Sequence, residues 1–178
     1  ERALREIYLK GFEIAICNAQ PMAMMTSYNL INGVHAANSY DICTKAARDE
    51  WGFEGAIMTD WTTTTDSTAG EWTAAGCMKA GNDMVLAPRR LKEEIDAVLA
   101  AVEKGELPEE EIDAKCRKIL TYKYILGLKD KPFVRLSGLG SRINTPQTRD
   151  LIRRLNLAAI TVLNNKGGVL PLHPDLKE

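Results

Sequence analysis

The chain has 178 residues, 45% of them hydrophobic and 26% charged, with a formal net charge of −1 and a pI near 6.2. That composition is globular rather than disordered, and the near-neutral balance lacks the basic footprint that nucleic acid or an anionic membrane surface requires. No apolar stretch approaches the roughly 20 residues of a membrane-spanning helix, so a soluble protein with no nucleic-acid and no membrane partner is expected.

Residues 1–17 place Leu4, Ile7, Tyr8, Gly11, Ile14 and Ala15 at helical spacing among Arg, Glu and Lys, which predicts an amphipathic helix. Met22 to Tyr28 is a short apolar run after Pro21 and reads as a buried strand leading into a loop marked by Asn29, Asn32, Gly33 and Asn38. A helix follows near residues 40–50 and stops at Gly52, a natural C-terminal cap. Gly55 to Asp60 is the next strand, residues 70–80 form a short helix ended by Gly81, and Asp83 to Ala87 is a third strand bounded by Pro88. From Leu91, the residues Ile95, Val98, Leu99 and Val102 mark a helix ending at Gly105. Pro108 opens another through Ile112, Cys116, Ile119 and Leu120 to Gly127, with Glu109, Glu110 and Glu111 in the first turn, where the helix dipole favours negative charge.

Helices alternating with strands predict a parallel sheet with right-handed crossovers. Three strands leave their edges unpaired, and a complete (β/α)8 barrel needs about 250 residues, so residues 1–128 read as the C-terminal part of a TIM-like barrel. A chain that opens on Glu1-Arg2-Ala3 is expected to be an internal piece of a longer protein. Residues 129–145 turn to Gly, Ser, Pro and scattered charge, the composition of an interdomain linker. Thr145-Pro146 then caps a helix with Leu151, Leu155, Ala158, Ala159 and Val162 on one face, and residues 146–178 are expected to begin a second domain.

Cys17, Cys43, Cys77 and Cys116 lack the short pair spacings of zinc sites and are expected to be buried thiols. Unpaired thiols favour a reducing, cytoplasmic compartment, with a periplasmic or secreted location left open. His35 and His173 are far apart in sequence, so neither a metal site nor a cofactor is expected.

The segment most informative about chemistry is Gly55-Ala-Ile-Met-Thr-Asp60-Trp61, an apolar run that stops at a carboxylate followed by an indole. Parallel strands are covered on both faces and read as continuous apolar stretches, and catalytic groups of α/β folds stand at their carboxyl ends. Asp60 is therefore a candidate catalytic carboxylate, although an Asp there could equally cap the next helix. Tyr28, taken alone, reads as an ordinary core aromatic, and Met24 and Met25 alternate faces, so at most one of them points at a site. His35 reads as a loop hydrogen-bonder.

Four segments in order, Met25-Thr-Ser-Tyr-Asn-Leu-Ile-Asn-Gly33, Arg48-Asp-Glu-Trp-Gly-Phe-Glu-Gly55, Ile57-Met-Thr-Asp-Trp61 and Ala80-Gly-Asn-Asp-Met84, resemble signatures of the family-three glycoside hydrolases, the β-glucosidase and β-xylosidase group. Ala158 to Leu172 resembles the start of that family's second domain, an α/β sandwich. The resemblance implies that Asp60 is the catalytic nucleophile at the end of the seventh barrel strand. It implies that Trp61 flanks the aglycone side and that Tyr28 and Met25 line the glycone subsite. The family usually has Ser where Thr59 stands, a change that keeps the hydroxyl. It also implies a retaining glycosidase that removes a terminal β-linked sugar through a covalent intermediate on Asp60. Such an enzyme needs a second, protonated carboxyl group about 5–5.5 Å from the nucleophile. In the family that acid comes from the second domain, and the Lys-His and Arg residues that grip the sugar come from earlier barrel strands. The implied partners are thus a glycoside or oligosaccharide substrate and the remainder of the same protein, and residues 1–178 alone are expected to be inactive. A catalytically incomplete sugar-binding or scaffolding derivative is the alternative. A phosphoryl-accepting receiver domain would instead need a lysine at the end of the strand that finishes at Pro88.

Overall fold

The computed structural model describes residues 1–64 and 73–172, and its contacts divide into two compact units, Glu1–Asp130 and Lys131–Glu178. In the first unit a widely wound turn, Leu4–Tyr8, precedes α1 (Lys10–Ala19), which stops where Gln20 turns left-handed (φ 42°) ahead of Pro21. β1 (Ala23–Met25) follows. Next comes a hairpin of β2 (Leu30–Ile31) and β3 (Val34–His35), whose two-residue loop is Asn32-Gly33 with φ of 51° and 82°. Positive φ at both loop residues matches the strand twist, which is why Asn-Gly makes this turn. The stretch expected as plain loop therefore contains a hairpin.

Asp41–Glu50 is also wound more widely than an α-helix, with the Trp51 N–H donating to the Ala46 carbonyl five residues back. It forms the crossover to β4 (Ala56–Met58), which pairs parallel to β1 with Ala23 opposite Ala56, Met24 opposite Ile57 and Met25 opposite Met58. α2 (Ala74–Ala80) is capped by the Thr73 hydroxyl, which accepts from the Gly76 N–H, and ends at Gly81 with φ 114°. The expected start of this helix at residue 70 lies outside the described residues. α3 (Leu91–Glu103) and α4 (Glu109–Ile125) complete the unit.

The third strand expected at Asp83–Ala87 is reduced to a single parallel bridge between Met58 and Met84. Pairing stops there because the Leu86 N–H is taken by the Thr59 hydroxyl rather than by a backbone carbonyl, and Ala87 then turns to positive φ (46°). The core against β4 is built from Ile16, Cys43, Ala47, Phe53 and Ile57, with Met24 and Trp51 packed on it. A second cluster of Ala75, Ala101 and Leu107 joins α2 to α3.

The apolar stripe read on the first helix is displaced. Ile7, Tyr8 and Ile14 are exposed, whereas Leu9 and Ile16 are the residues buried. The wide turn at Leu4–Tyr8 inserts a residue relative to α-helical spacing, so the face turned inward shifts around the axis. Two of the four cysteines also depart from expectation, since Cys43 and Cys77 are buried but Cys17 and Cys116 are exposed. Cys17 stands about 100° around α1 from the buried Ile16, and Cys116 lies on an open face of α4 beside Asp113, Arg117 and Leu120.

In the second unit α5 (Leu139–Arg142) lies within the stretch read as linker, and α6 (Pro146–Ala159) begins at the expected cap, where the Thr145 hydroxyl accepts from the Thr148 N–H at 3.2 Å. Residues 160–172 are strand-free and exposed, with no neighbouring strand in the described part of the unit to pair with.

Candidate active site

β1 and β4 are parallel and in register, so their carboxyl ends lie side by side, and the candidate residues gather there. Asp60 follows β4 after the fully buried Thr59, and is itself partly exposed. Its Oδ1 accepts from the Trp61 N–H at 2.7 Å and its carbonyl accepts from the Thr63 hydroxyl at 2.9 Å. Trp61 is 63% exposed. The Tyr28 hydroxyl donates to the Trp61 carbonyl at 2.9 Å, which brings the end of the β1 segment onto the turn after β4. Met25 is the β1 residue opposite Met58 and is 41% exposed. All four residues named from sequence thus stand at one end of the strand pair.

The turn itself is strained. Thr62 has φ 55°, a conformation that a β-branched residue rarely adopts and that concentrates at functional sites. Its N–H donates to the Leu86 carbonyl at 3.2 Å, and the Leu86 N–H donates to the Thr59 hydroxyl at 2.9 Å.

The opposite end of β4 carries a buried ionic group. The Asp83 side chain is 4% exposed and its Oδ2 accepts from the Ile57 N–H at 2.8 Å and from Arg48 Nη2 at 2.7 Å, with Lys118 Nζ at 3.4 Å. Arg48 also donates to the carbonyls of Phe53, Gly55 and Gly81. Burial pushes the Lys118 and Lys115 amines below their ordinary range. Nearby, the fully buried Asn82 donates to the carbonyls of Ala37 and Cys77 at 2.6 and 2.9 Å. Arg48, Asn82 and Asp83 stood inside recognised sequence segments, but no local spacing shows that they meet.

His35 is buried with Nδ1 accepting from the Ala37 N–H, and burial lowers its pKa from the ordinary 6.5. The buried thiols of Cys43 and Cys77 are pushed up to about 11 and about 12, mainly by desolvation, so both are protonated and unreactive at neutral pH. Among the described residues, no cluster of three or more His, Cys, Asp or Glu side chains could hold a metal ion. His173 lies outside them.

A carboxylate and an exposed indole thus follow the carboxyl end of a parallel strand pair, where α/β folds commonly carry their reacting groups. The sequence profile of the glycosyl hydrolase family 3 N-terminal domain matches residues 1–122, and the chain belongs to that family. Beta-glucosidase B of Emericella nidulans is 37% identical over 176 residues, which cover 99% of this chain and 20% of that protein. The crystal structure of the beta-glucosidase of Kluyveromyces marxianus in complex with glucose superposes with a TM-score of 0.71 at 31% identity, over 96% of this chain and 20% of that one. Beta-glucosidase 3B from Thermotoga neapolitana in complex with glucose gives 0.59 at 38% identity, over 68% and 17%. The chain thus spans about one fifth of the length of the relatives it matches.

Proposed function

We infer that these residues form part of a retaining β-glycosidase, β-glucosidase-like in substrate, in which Asp60 attacks the anomeric carbon and carries the covalent glycosyl intermediate. The observation that carries this reading is the convergence of Asp60, Trp61, Tyr28 and Met25 at the carboxyl ends of β1 and β4. A nucleophile must be ionised and reachable, and a strand end supplies both, whereas a strand interior is desolvated. The indole of Trp61 offers a flat apolar face to the leaving group, and Tyr28 and Met25 border the sugar side.

The strand pair and its helices make up part of a TIM-like barrel over residues 1–128, with residues 129–145 a linker and 146–178 the start of an α/β sandwich domain. The family match over residues 1–122 and the division between Asp130 and Lys131 support that arrangement. The acid that protonates the leaving group and most sugar-gripping residues then come from the rest of the protein, and a glycoside is its small-molecule partner.

The test is mechanism-based labelling of the full-length protein with a 2-deoxy-2-fluoro-β-glucoside, followed by peptide mapping. Asp60 is expected to carry the label, and Asp60→Asn to lower turnover by about 10³-fold or more, about 4 kcal/mol of transition-state stabilisation. Label on another carboxylate, or full activity in the Asn variant, refutes the assignment. Sugar binding without turnover in the wild-type protein would favour a sugar-binding derivative.

A further inference from the structure

The turn that presents Asp60 and Trp61 is closed at both ends by one residue, Leu86. Its N–H donates to the Thr59 hydroxyl at 2.9 Å, and its carbonyl accepts from the Thr62 N–H at 3.2 Å. The Thr59 N–H donates in turn to the Met84 carbonyl at 3.0 Å, just past the Met58–Met84 bridge where backbone pairing ends. A continued ladder would offer the Leu86 N–H a carbonyl on the β4 side, and here the hydroxyl takes that place. Thr59 is fully buried, so no solvent competes for the bond, and its β-branch restricts χ1. The left-handed Thr62, two residues past Asp60, persists only where its surroundings over-determine it, and its N–H bond to Leu86 is one of the contacts that do so.

We propose that Thr59 is a positioning residue for the reaction, fixing the Asp60 carboxylate against the anomeric carbon by accepting the Leu86 N–H. The inference rests on Asp60 being the nucleophile. In-line attack tolerates little displacement, and a shift of about 1 Å at the reacting group costs about 10²-fold in rate. The hydroxyl is itself buried and acts only through the backbone of the turn. Its loss therefore falls mainly on the chemical step, with a smaller effect on affinity through Trp61, which the same turn carries.

The experiment compares wild type, Thr59→Ser and Thr59→Val in the full-length protein. It measures the rate constant and the dissociation constant separately for inactivation by 2,4-dinitrophenyl 2-deoxy-2-fluoro-β-glucoside, with thermal melts alongside. Thr59→Val keeps the shape and removes the acceptor, and is expected to slow inactivation by about 30- to 100-fold, with the dissociation constant changed by less than about threefold. Thr59→Ser keeps the acceptor and is expected to stay within about fivefold of wild type in both constants. A lowered melting temperature with a wild-type inactivation rate in Thr59→Val overturns the proposal, because it reports a structural role alone. A loss of equal size in Thr59→Ser also overturns it. Should Thr59→Val give no folded protein, Thr59→Ala, which also removes the acceptor, carries the test, and a wild-type rate there is again fatal. Wild-type label on a residue other than Asp60 overturns both this proposal and the reading beneath it, whereas label on Asp60 with an unchanged Thr59→Val rate overturns this one only.

Discussion

Replacing Asp83 by Asn removes a single charge from a position where every neighbouring group is a donor. Asp83 Oδ2 accepts from the Ile57 N–H at 2.8 Å and from Arg48 Nη2 at 2.7 Å, and Lys118 Nζ stands 3.4 Å away. An asparagine keeps one acceptor oxygen and turns an NH2 group toward the remaining donors, so at least one charge-assisted bond is lost and one donor faces another. Breaking a buried pair on one side costs about 3–5 kcal/mol, mostly from the charge left behind. The Arg48 and Lys118 side chains are 20% and 25% exposed, so water partly compensates them, and the lower end, about 3 kcal/mol, applies. Against a total stability of about 5–15 kcal/mol, that is a large fraction. Urea unfolding of the full-length protein should show a lower midpoint at unchanged slope. In Arg48→Met with Asp83→Asn the loss should be smaller than the sum of the two singles, because the Arg48–Asp83 pair is then removed whole and only the 25% exposed Lys118 loses its anion. A cost below about 1 kcal/mol for Asp83→Asn, or strictly additive singles, would refute the view that this group is a desolvated, mutually dependent network.

Two further outcomes follow from the packing and the protonation chemistry. His35 has its folded-state pKa lowered by burial from 6.5, so between the folded value and 6.5 the unfolded chain binds the extra proton. Its contribution is therefore complete above pH 6.5 and is lost as the pH falls below it. Thermal melts at about pH 7.5 and about pH 5.5 should show a larger acid loss in wild type than in His35→Gln, and equal losses would discard the effect. At Gly55 an added Cβ would lie 2.4 Å from Phe53 Cζ and 2.6 Å from the Pro21 carbonyl oxygen. Gly55→Ala should accordingly cost about 1–3 kcal/mol, and an unchanged melting temperature would mean that the Phe53 ring yields freely.

What was legible in the sequence was what local chemistry decides. Thr145-Pro146 announced α6 because the cap and the first-turn proline satisfy or remove orphan N–H groups within four residues. Gly52, Gly81, Gly105 and Gly127 each marked a helix end, and all four have positive φ. Asn32-Gly33 is an equally local hairpin signal, but strands of two residues are too short to display alternation, so the segment has the sequence character of a loop. The run at 83–87 was apolar enough for a strand, yet apolarity says nothing of which carbonyl will accept each N–H, and a threonine hydroxyl intervened.

The same division runs through the candidate site. Asp60 and Trp61 could be picked out because the strand, the carboxylate and the indole are consecutive. What holds them in place is remote in sequence. Leu86 reaches Thr59 across 27 residues, Tyr28 reaches Trp61 across 33, and Arg48 reaches Asp83 across 35. Each of those pairings becomes cheap only after the parallel register of β1 and β4 has been set, because loop closure is then already accomplished. The proposed nucleophile and its indole are thus adjacent in sequence, while the contacts that hold them depend on the assembled sheet. Substitutions at Asp60 should accordingly remove the reaction itself, whereas those at Thr59 and Asp83 should degrade its rate or the stability beneath it.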